Sequence, residues 1–219
     1  MNRNNLKDSL TSVLSLMCDI MLLNILWLFC SLPIITIGPA TCALFSCMLK
    51  IARDELGEST LKTFFRAFKE NFKFGFFYGI IALAAAVIIV IDITYALAQE
   101  GTVRTVFLVV SGVAGAIWLT FTAYVFPLQA RYENTFVNQI RNAFLIAACT
   151  PGRTLIMWAI YAIPVTLILV LPLEVVLQIG FLFLMCGMSL PAYFNCRILR
   201  KIFEKFVENE VNEENTQIE

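Results

Sequence analysis

The sequence contains no histidine among its 219 residues. Ser-His-Asp and Cys-His nucleophilic sites use an imidazole as the base, and the H-E-x-x-H metal site uses two imidazoles as ligands. These kinds of catalytic site are therefore excluded. The sequence also lacks the G-x-x-x-x-G-K-[ST] phosphate-binding loop, so the energy for any driven transport would have to come from another subunit. With no convincing nucleophile or acid–base pair, we expect a protein that is not an enzyme.

Charged residues are also scarce. They make up 15% of the chain, against 59% hydrophobic residues and a mean hydropathy of +0.80. A soluble domain is about 25% charged and about half apolar. The composition therefore predicts an integral membrane protein, and long apolar segments broken by Pro and Gly predict the all-α class.

Disulfide and metal-binding patterns are missing too. The seven cysteines are scattered through apolar segments, with no C-x-x-C pair and an odd total. Such cysteines pack as small hydrophobic residues. We predict no disulfide, no metal site and no cofactor. The cysteines are Cys18, Cys30, Cys42, Cys47, Cys149, Cys186 and Cys196.

The formal net charge of zero hides an asymmetry. Five of the 16 acidic residues lie in segment 208–219, so residues 1–207 carry 16 basic and 11 acidic residues, a net charge of +5. The basic residues flank apolar segments, which suits an anionic inner leaflet better than nucleic acid. Residues 1–207 are predicted to form a single helical membrane domain, and residues 208–219 an acidic disordered tail.

The apolar segments predict six transmembrane helices arranged as three hairpins. Residues 10–49 form an apolar run broken by one charge, Asp19, and its length suffices for two thin spans or a re-entrant hairpin. Pro33 and the pair Gly38–Pro39 are its natural break points. The predicted spans are 12–32, 34–50, 74–98, 103–128, 154–171 and 173–194.

The distribution of basic residues predicts the topology. With both termini and residues 50–73 and 129–153 in the cytoplasm, 15 of the 16 Lys and Arg residues lie inside and only Arg104 lies outside. This agrees with the positive-inside rule. An alternative with five spans and an outside N-terminus would place Arg3 and Lys7 on the wrong side. We therefore predict a multi-pass protein of a bacterial cytoplasmic membrane.

Two segments between the hairpins have the pattern of amphipathic interfacial helices. In residues 59–73 the pattern predicts that one narrow apolar face, with cations on its flank, lies in the membrane interface. Residues 133–148 form a weaker helix of the same kind. Candidate contacts to a partner or to lipid are Phe64, Phe65, Arg66, Phe68, Lys69, Phe72, Lys73, Arg131 and Arg141; Leu61 and Lys62 extend the two rows.

Asp19, Gly38 and Pro39 form a candidate intramembrane polar site. An ionised carboxylate in hydrocarbon needs a partner, so Asp19 is either part of an ion-linked site or bonded to a neighbouring Ser, Thr or Asn, with Ser15 and Asn24 as candidates. Helix ends exposed at Gly38–Pro39 suit a substrate or ion site. The structural alternative, which we favour, is a sharp hairpin bend.

Two further features have structural explanations. The small residues from Ser111 to Ala116 predict close helix packing. Trp27, Trp118 and Trp158 have rings suited to stacking on a sugar, although single tryptophans in membrane helices usually serve as packing or interface anchors.

Three runs of residues resemble the YesL-like family of bacterial membrane proteins, a domain of unknown function. The first hairpin has Ser-Leu-Pro-Ile from Ser31 and Ile-Gly-Pro-Ala from Ile37. The second run is Phe-Phe-Arg-Ala-Phe-Lys-Glu-Asn-Phe-Lys from Phe64, and the third is Pro-Leu-Gln-Ala-Arg-Tyr from Pro127, with Asn-Ala-Phe from Asn142. The last third of the chain matches only in its hydrophobic character.

The resemblance implies a membrane protein often encoded beside carbohydrate ABC importers and glycoside hydrolases. The expected function is therefore that of a non-enzymatic accessory or regulatory subunit of such an importer, with permease subunits as partners. The alternative is a small-solute transporter or channel that acts alone. The sequence leaves the substrate and the oligomeric state open.

Overall fold

The computed structural model describes the backbone of residues 3–55 and 59–218, and most of the side chains from Thr11 to Glu204. This part of the chain forms nine α-helices, one 3-10 turn (Ile34–Thr36) and no strand. The helices are α1 Arg3–Ser31, α2 Ile37–Ala52, α3 Thr60–Glu70, α4 Phe72–Leu97, α5 Gly101–Arg131, α6 Phe136–Cys149, α7 Pro151–Val170, α8 Leu173–Cys186 and α9 Ser189–Ile218.

Helix α2 is the centre of the fold. Every residue from Gly38 to Leu49 is buried, and the helix packs against α1, α3, α4, α5 and α9. A helix that is apolar on all sides has no face to present to water, so burial by five neighbours is the stable arrangement. With 16 residues α2 is only about 24 Å long, shorter than a typical hydrocarbon core.

Hydropathy and length confirm an all-α protein of the membrane type. Four described segments are long and apolar enough to cross a bilayer: Val13–Ser31, Ile34–Ala52, Phe72–Leu97 and Gly101–Arg131. The number rises to six if two bent helix pairs each count as one span. One pair joins α6 to α7 with a bend of 104°, and the other joins α8 to α9 with a bend of 43°.

The first hairpin turns between α1 and α2. The 3-10 turn fills part of this connection, and the Thr36 hydroxyl donates to the Cys30 carbonyl at 2.6 Å. Gly38 and Pro39 lie in the first turn of α2 rather than at the bend. Proline is tolerated there because the first amides of a helix have no intrahelical acceptor.

Gly38 and Pro39 allow α2 to cross α4 at very short range. A Cβ atom on Gly38 would lie 1.9 Å from the Gly75 carbonyl oxygen, and one on Gly79 would lie 2.8 Å from the Gly38 Cα. Glycine is the residue that permits such backbone contact, as in Gly-x-x-x-Gly helix pairs. The motif around Gly38 therefore specifies a helix crossing.

The predicted span 173–194 is interrupted. Helix α8 ends at Cys186 and α9 begins at Ser189. At the break, buried Asn24 of α1 accepts from the Met188 and Ser189 amides at 3.0 Å, and its own amide donates to the Leu184 carbonyl at 2.7 Å. One side chain thus satisfies backbone groups that the interruption leaves without helical partners.

The acidic segment 208–219 also differs from the prediction. Helix α9 continues to Ile218, so the structure has a helix where the sequence analysis predicts a disordered tail. Glutamate is a good helix former, and α9 gives the segment an existing helix to extend. Glu219 lies outside the described residues.

Candidate functional surface and membrane cavities

Helix α3 is attached to the core by one face. Thr60, Thr63, Phe64 and Ala67 are buried on this face, next to α2. The expectation that Phe64 shares an exposed face with Phe65 is therefore wrong. Phe64 is fully buried, whereas Phe65 is 52% exposed. Because successive residues in a helix point about 100° apart, the packing that buries Phe64 leaves Phe65 directed outwards.

The remaining surface of α3, continued by the first two residues of α4 (Phe72 and Lys73), carries two parallel rows. The apolar row contains exposed Leu61, Phe65 and Phe72, with half-buried Phe68 between them. Each member is followed directly in sequence by an exposed cation. We call these two rows together the α3 surface. Its cations are Lys62, Arg66, Lys69 and Lys73.

Asp19 attaches α3 to α1. Its carboxylate oxygen accepts from the Thr60 hydroxyl at 2.6 Å, so its partner is a threonine on α3 and not Ser15 or Asn24. Thr60 is the first residue of α3, and a carboxylate near a helix N-terminus is favourable because it faces the positive end of the helix dipole. This geometry gives Asp19 a structural role in holding the α3 surface in place.

The ends of α2 and α5 meet α9 at one end of the bundle. The Arg200 guanidinium donates to the Ala52 carbonyl at 2.6 Å. The Arg131 guanidinium lies 4.9 Å from the ring centre of Tyr132 and 4.8 Å from the ring centre of Phe203. Stacking between two rings is a favourable position for an Arg side chain. Arg131 is therefore engaged within the protein, whereas Arg141 on α6 is exposed.

Two adjoining cavities lie among the spans, and the sequence patterns did not predict them. The larger, of about 740 Å³, is lined by residues that include all three tryptophans of the chain and Tyr161. We call it the tryptophan cavity. The smaller, of about 460 Å³, lies between α4, α5 and Trp158 and is lined by Ser111 and Gly112. We call it the glycine cavity.

The small residues of α5 create space instead of close packing. A Cβ atom on Gly112 or Gly115 would meet nothing within 4 Å. Gly115, Trp158, Ile89 and Leu119 line both cavities, so the two spaces adjoin. Close packing would place atoms of a neighbouring helix beside these two glycines, and none lies there. The predicted packing role of Gly112 and Gly115 is therefore wrong.

The tryptophans differ in their hydrogen bonding. The Trp27 indole donates to the Thr41 hydroxyl at 3.1 Å, and that of Trp118 donates to the Ala82 carbonyl at 2.8 Å. In the described part of the chain, the buried indole nitrogen of Trp158 and the buried hydroxyl of Ser111 have no hydrogen-bond partner. Both residues line the glycine cavity.

The predicted intramembrane polar site is not assembled as one unit. Asp19, Gly38 and Pro39 line neither cavity, since Asp19 bonds to α3 and the other two contact α4. Ser111 and Trp158, whose buried polar atoms have no partner in the described part of the chain, come from α5 and α7, which are distant in sequence. The sequence analysis predicted only packing for Ser111 and gave no sign of an unpaired polar atom at either residue.

The fold defines a multi-pass membrane-type protein with a polar and aromatic surface helix. Comparisons with known proteins show which proteins the chain is similar to. Residues 20–93 match the family described as "Protein of unknown function, DUF624". The chain is 29% identical to "Uncharacterized protein YesL" of Bacillus subtilis (strain 168) over 141 residues. The aligned segment covers 63% of this chain and 66% of that protein.

These matches confirm the resemblance to the YesL-like family. The matched segment begins within α1, one residue after Asp19, and ends within α4, so it contains the turn between α1 and α2, the Gly38 crossing and the α3 surface. No solved structure matches the chain significantly.

Proposed function

We propose that the protein is a non-enzymatic accessory or regulatory subunit of a carbohydrate ABC importer, and that it contacts the permease through the α3 surface. The observation that carries the proposal is the exposure of an apolar row beside a basic row on a helix whose third face is fixed to the core. The implied neighbourhood of YesL-like proteins supports the choice of importer.

The α3 surface carries residue types that are common where a protein contacts another protein or lipid at the membrane interface. Aromatic residues and Arg are enriched at protein interfaces, and the cations beside them suit lipid phosphates. The surface is also preorganised, because Asp19 and buried Phe64 hold α3 against α1 and α2. A rigid contact helix loses less conformational entropy on binding than a mobile one.

We further propose that this end of the bundle faces the cytoplasm. Segments 50–73, 129–153 and 195–204 contain most of the basic residues. Direct contacts join them: Arg200 with Ala52, Gln129 with Asn71, and Arg131 with Phe203. The positive-inside rule then assigns their shared end to the cytoplasmic side.

The test is co-purification of the tagged protein with importer permeases from native membranes. Phe65→Asp places a charge in the exposed apolar row and should reduce permease recovery at least tenfold. Phe65→Leu keeps an apolar side chain at the same position and serves as the matched control, with recovery close to wild type. Equal recovery with both variants would exclude this row as the contact.

The second candidate, a small-solute transporter, is favoured by the cavities. The route through Asp19, Gly38 and Pro39 receives no support, because those residues line neither cavity. A sugar also fits poorly, since the cavity lining is almost wholly apolar and each buried hydroxyl without a partner costs about 1–3 kcal/mol. Flux of an apolar solute that Gly115→Leu abolishes would favour this candidate.

A further inference from the structure

The start of α2 lies close to the start of α4. The Gly38 backbone packs against Gly75 and Gly79, so that a Cβ atom on Gly79 would lie 2.8 Å from the Gly38 Cα. Gly79 is seven residues from the first residue of α4, which corresponds to about 10 Å along the helix. The other end of α4, at Leu97, is 18 residues away from Gly79, or about 27 Å. The turn between α1 and α2 is therefore near the end of α4 that follows α3.

The connection between α5 and α6 lies at the same depth as Gly79. The ring of the preceding residue, Tyr78, stacks on the ring of Phe136, the first residue of α6, with 4.7 Å between the ring centres. Close to the end of α5, the Gln129 side chain donates to that of Asn71 at 3.2 Å. We assign this connection to the cytoplasmic side. A complete crossing of the membrane by α1 would place the start of α2 at the opposite surface instead.

Helix α4 continues well past the tip of the first hairpin. The tip consists of Leu32, Pro33 and the 3-10 turn, which adds about 6 Å beyond the start of α2. This height corresponds to Leu83, which lines the tryptophan cavity together with Ile37. From Leu83, α4 extends for another 14 residues, or about 21 Å, to its end at Leu97. The tip is therefore far from the turn that joins α4 to α5.

The side chains of the tip suit hydrocarbon rather than water. Leu32, Ile34 and Ile35 are 75%, 67% and 57% exposed, and segment 20–49 contains no Asp, Glu, Lys or Arg. Adjacent large apolar side chains are unfavourable in water. By contrast, the turn between α4 and α5 contains the charged residue Glu100, as expected for a turn that reaches the water.

The backbone of the tip has internal hydrogen-bond partners. The Thr36 hydroxyl donates to the Cys30 carbonyl at 2.6 Å, and the Thr36 amide donates to the Pro33 carbonyl at 2.8 Å. The Leu32 amide donates to the Phe29 carbonyl at 3.3 Å, and proline has no amide hydrogen to satisfy. In hydrocarbon, backbone polar groups must find their partners within the protein, and these bonds serve that purpose.

We propose that the α1–α2 hairpin is re-entrant. It enters the bilayer from the side on which α3 lies, turns inside the hydrocarbon region at residues 32–36, and returns without reaching the opposite surface. A re-entrant hairpin and a complete double crossing leave every charged segment on the same side, so the positive-inside rule does not separate them. The re-entrant path does not depend on the accessory role, nor on which side of the membrane faces the cytoplasm.

The depth of a nitroxide label at the tip tests the proposal in proteoliposomes. The full-length protein carries one added cysteine, keeps its three buried native cysteines and has the other four replaced by alanine. Oxygen collides with labels in hydrocarbon, whereas a nickel chelate collides with labels in water. Ile34→Cys should be accessible to oxygen and protected from nickel, like Val87→Cys at an exposed residue near the middle of α4. Arg104→Cys and Lys201→Cys are the references for water.

A label at Ile34→Cys that is as accessible to nickel as the two water references would overturn the proposal. Reaction of the unlabelled Ile34→Cys variant with an impermeant maleimide in intact cells and in opened cells would then show which surface the tip reaches. Reaction on the side of Arg104 would mean a complete crossing. Reaction on the side of Lys201 would mean that the hairpin stays outside the hydrocarbon.

A second pair of variants needs no cysteine replacement. Ile34→Lys places a charge inside the hydrocarbon if the hairpin is re-entrant, and it should lower the yield of folded protein in the membrane about tenfold. Val103→Lys, at an exposed residue in the first turn of α5, places the same charge near water and should behave like wild type. Both residues lie at the start of a helical segment, so the helix dipole acts alike on the two charges. Equal yields would contradict a tip inside the hydrocarbon.

Discussion

Glycines at different positions in this protein have opposite structural roles. Gly38 fits where no side chain can, since the α4 backbone occupies the place of its Cβ, whereas Gly112 faces open space. The sequence shows glycine in both places. Only the position of the neighbouring helix separates a close crossing from a cavity wall.

Replacement of Gly38 by alanine should destabilise the protein strongly. The new methyl group would overlap the Gly75 carbonyl, so α2 and α4 would have to separate, at a cost of about 3 kcal/mol. Thermal unfolding in detergent, followed by size-exclusion chromatography of the surviving fraction, measures this loss.

The matched control is Gly112→Ala, which adds the same methyl group to open space. We expect a change of at most about 1 kcal/mol, in the stabilising direction, because alanine is the better helix former. Similar losses in both variants would contradict the crossing described for Gly38.

At the level of elements, the fold depends on single polar side chains that satisfy or fix helix ends. Asn24 bonds across the α8–α9 break, and Asp19 fixes the start of α3. Neither partner was predictable from sequence, because each bond joins residues far apart in the chain. The sequence indicated only that Asp19 needs a partner, such as a Ser, Thr or Asn side chain.

Removal of the Asn24 side chain should loosen the break between α8 and α9. Asn24→Ala leaves the Met188 and Ser189 amides and the Leu184 carbonyl without this partner, which should cost about 3 kcal/mol. Cys186, half-buried beside the break, should then react with maleimide several-fold faster, as measured by peptide mass spectrometry.

Thr94→Ala is the control for that experiment, since the Thr94 hydroxyl is exposed and bonds only to carbonyls of its own helix. Its effect should be below about 0.5 kcal/mol. A reaction rate of Cys186 that is the same in Asn24→Ala and in wild type would show that Asn24 does not hold the break closed.

The bond between Asp19 and Thr60 should couple α1 to α3. A double-mutant cycle with Asp19→Ala and Thr60→Val should give an interaction energy of about 1–2 kcal/mol in the free energy of unfolding. Amide exchange in α3 should also accelerate in each single variant. Strict additivity would mean that the 2.6 Å contact contributes nothing to the attachment of α3.

Across the whole molecule, hydropathy predicted the apolar helices, whereas the details of their packing depend on contacts between residues far apart in sequence. The apolar segments predicted the helices of the first two hairpins because spans of this kind have a strong local signal. The interruption at Cys186, the burial of Phe64 and the cavity beside Gly115 depend on which helix lies opposite. A single sequence does not encode that information locally.

The topology yields a prediction for intact cells. In a variant whose native cysteines are replaced by alanine, a cysteine at Arg104 should react with a membrane-impermeant maleimide, and one at Lys201 should not until the cells are opened. Both residues are exposed in the structure, so access depends on the side of the membrane. The reverse pattern would invert the proposed orientation.

The most direct test of the proposed function is purification of the tagged full-length protein from its native membrane in mild detergent, with quantitative mass spectrometry of the co-purifying proteins. The proposal predicts a carbohydrate ABC permease in near-stoichiometric amount, lost in Phe65→Asp and retained in Phe65→Leu. A preparation that contains only copies of this chain, with no permease above the background of an unrelated tagged membrane protein, would contradict it.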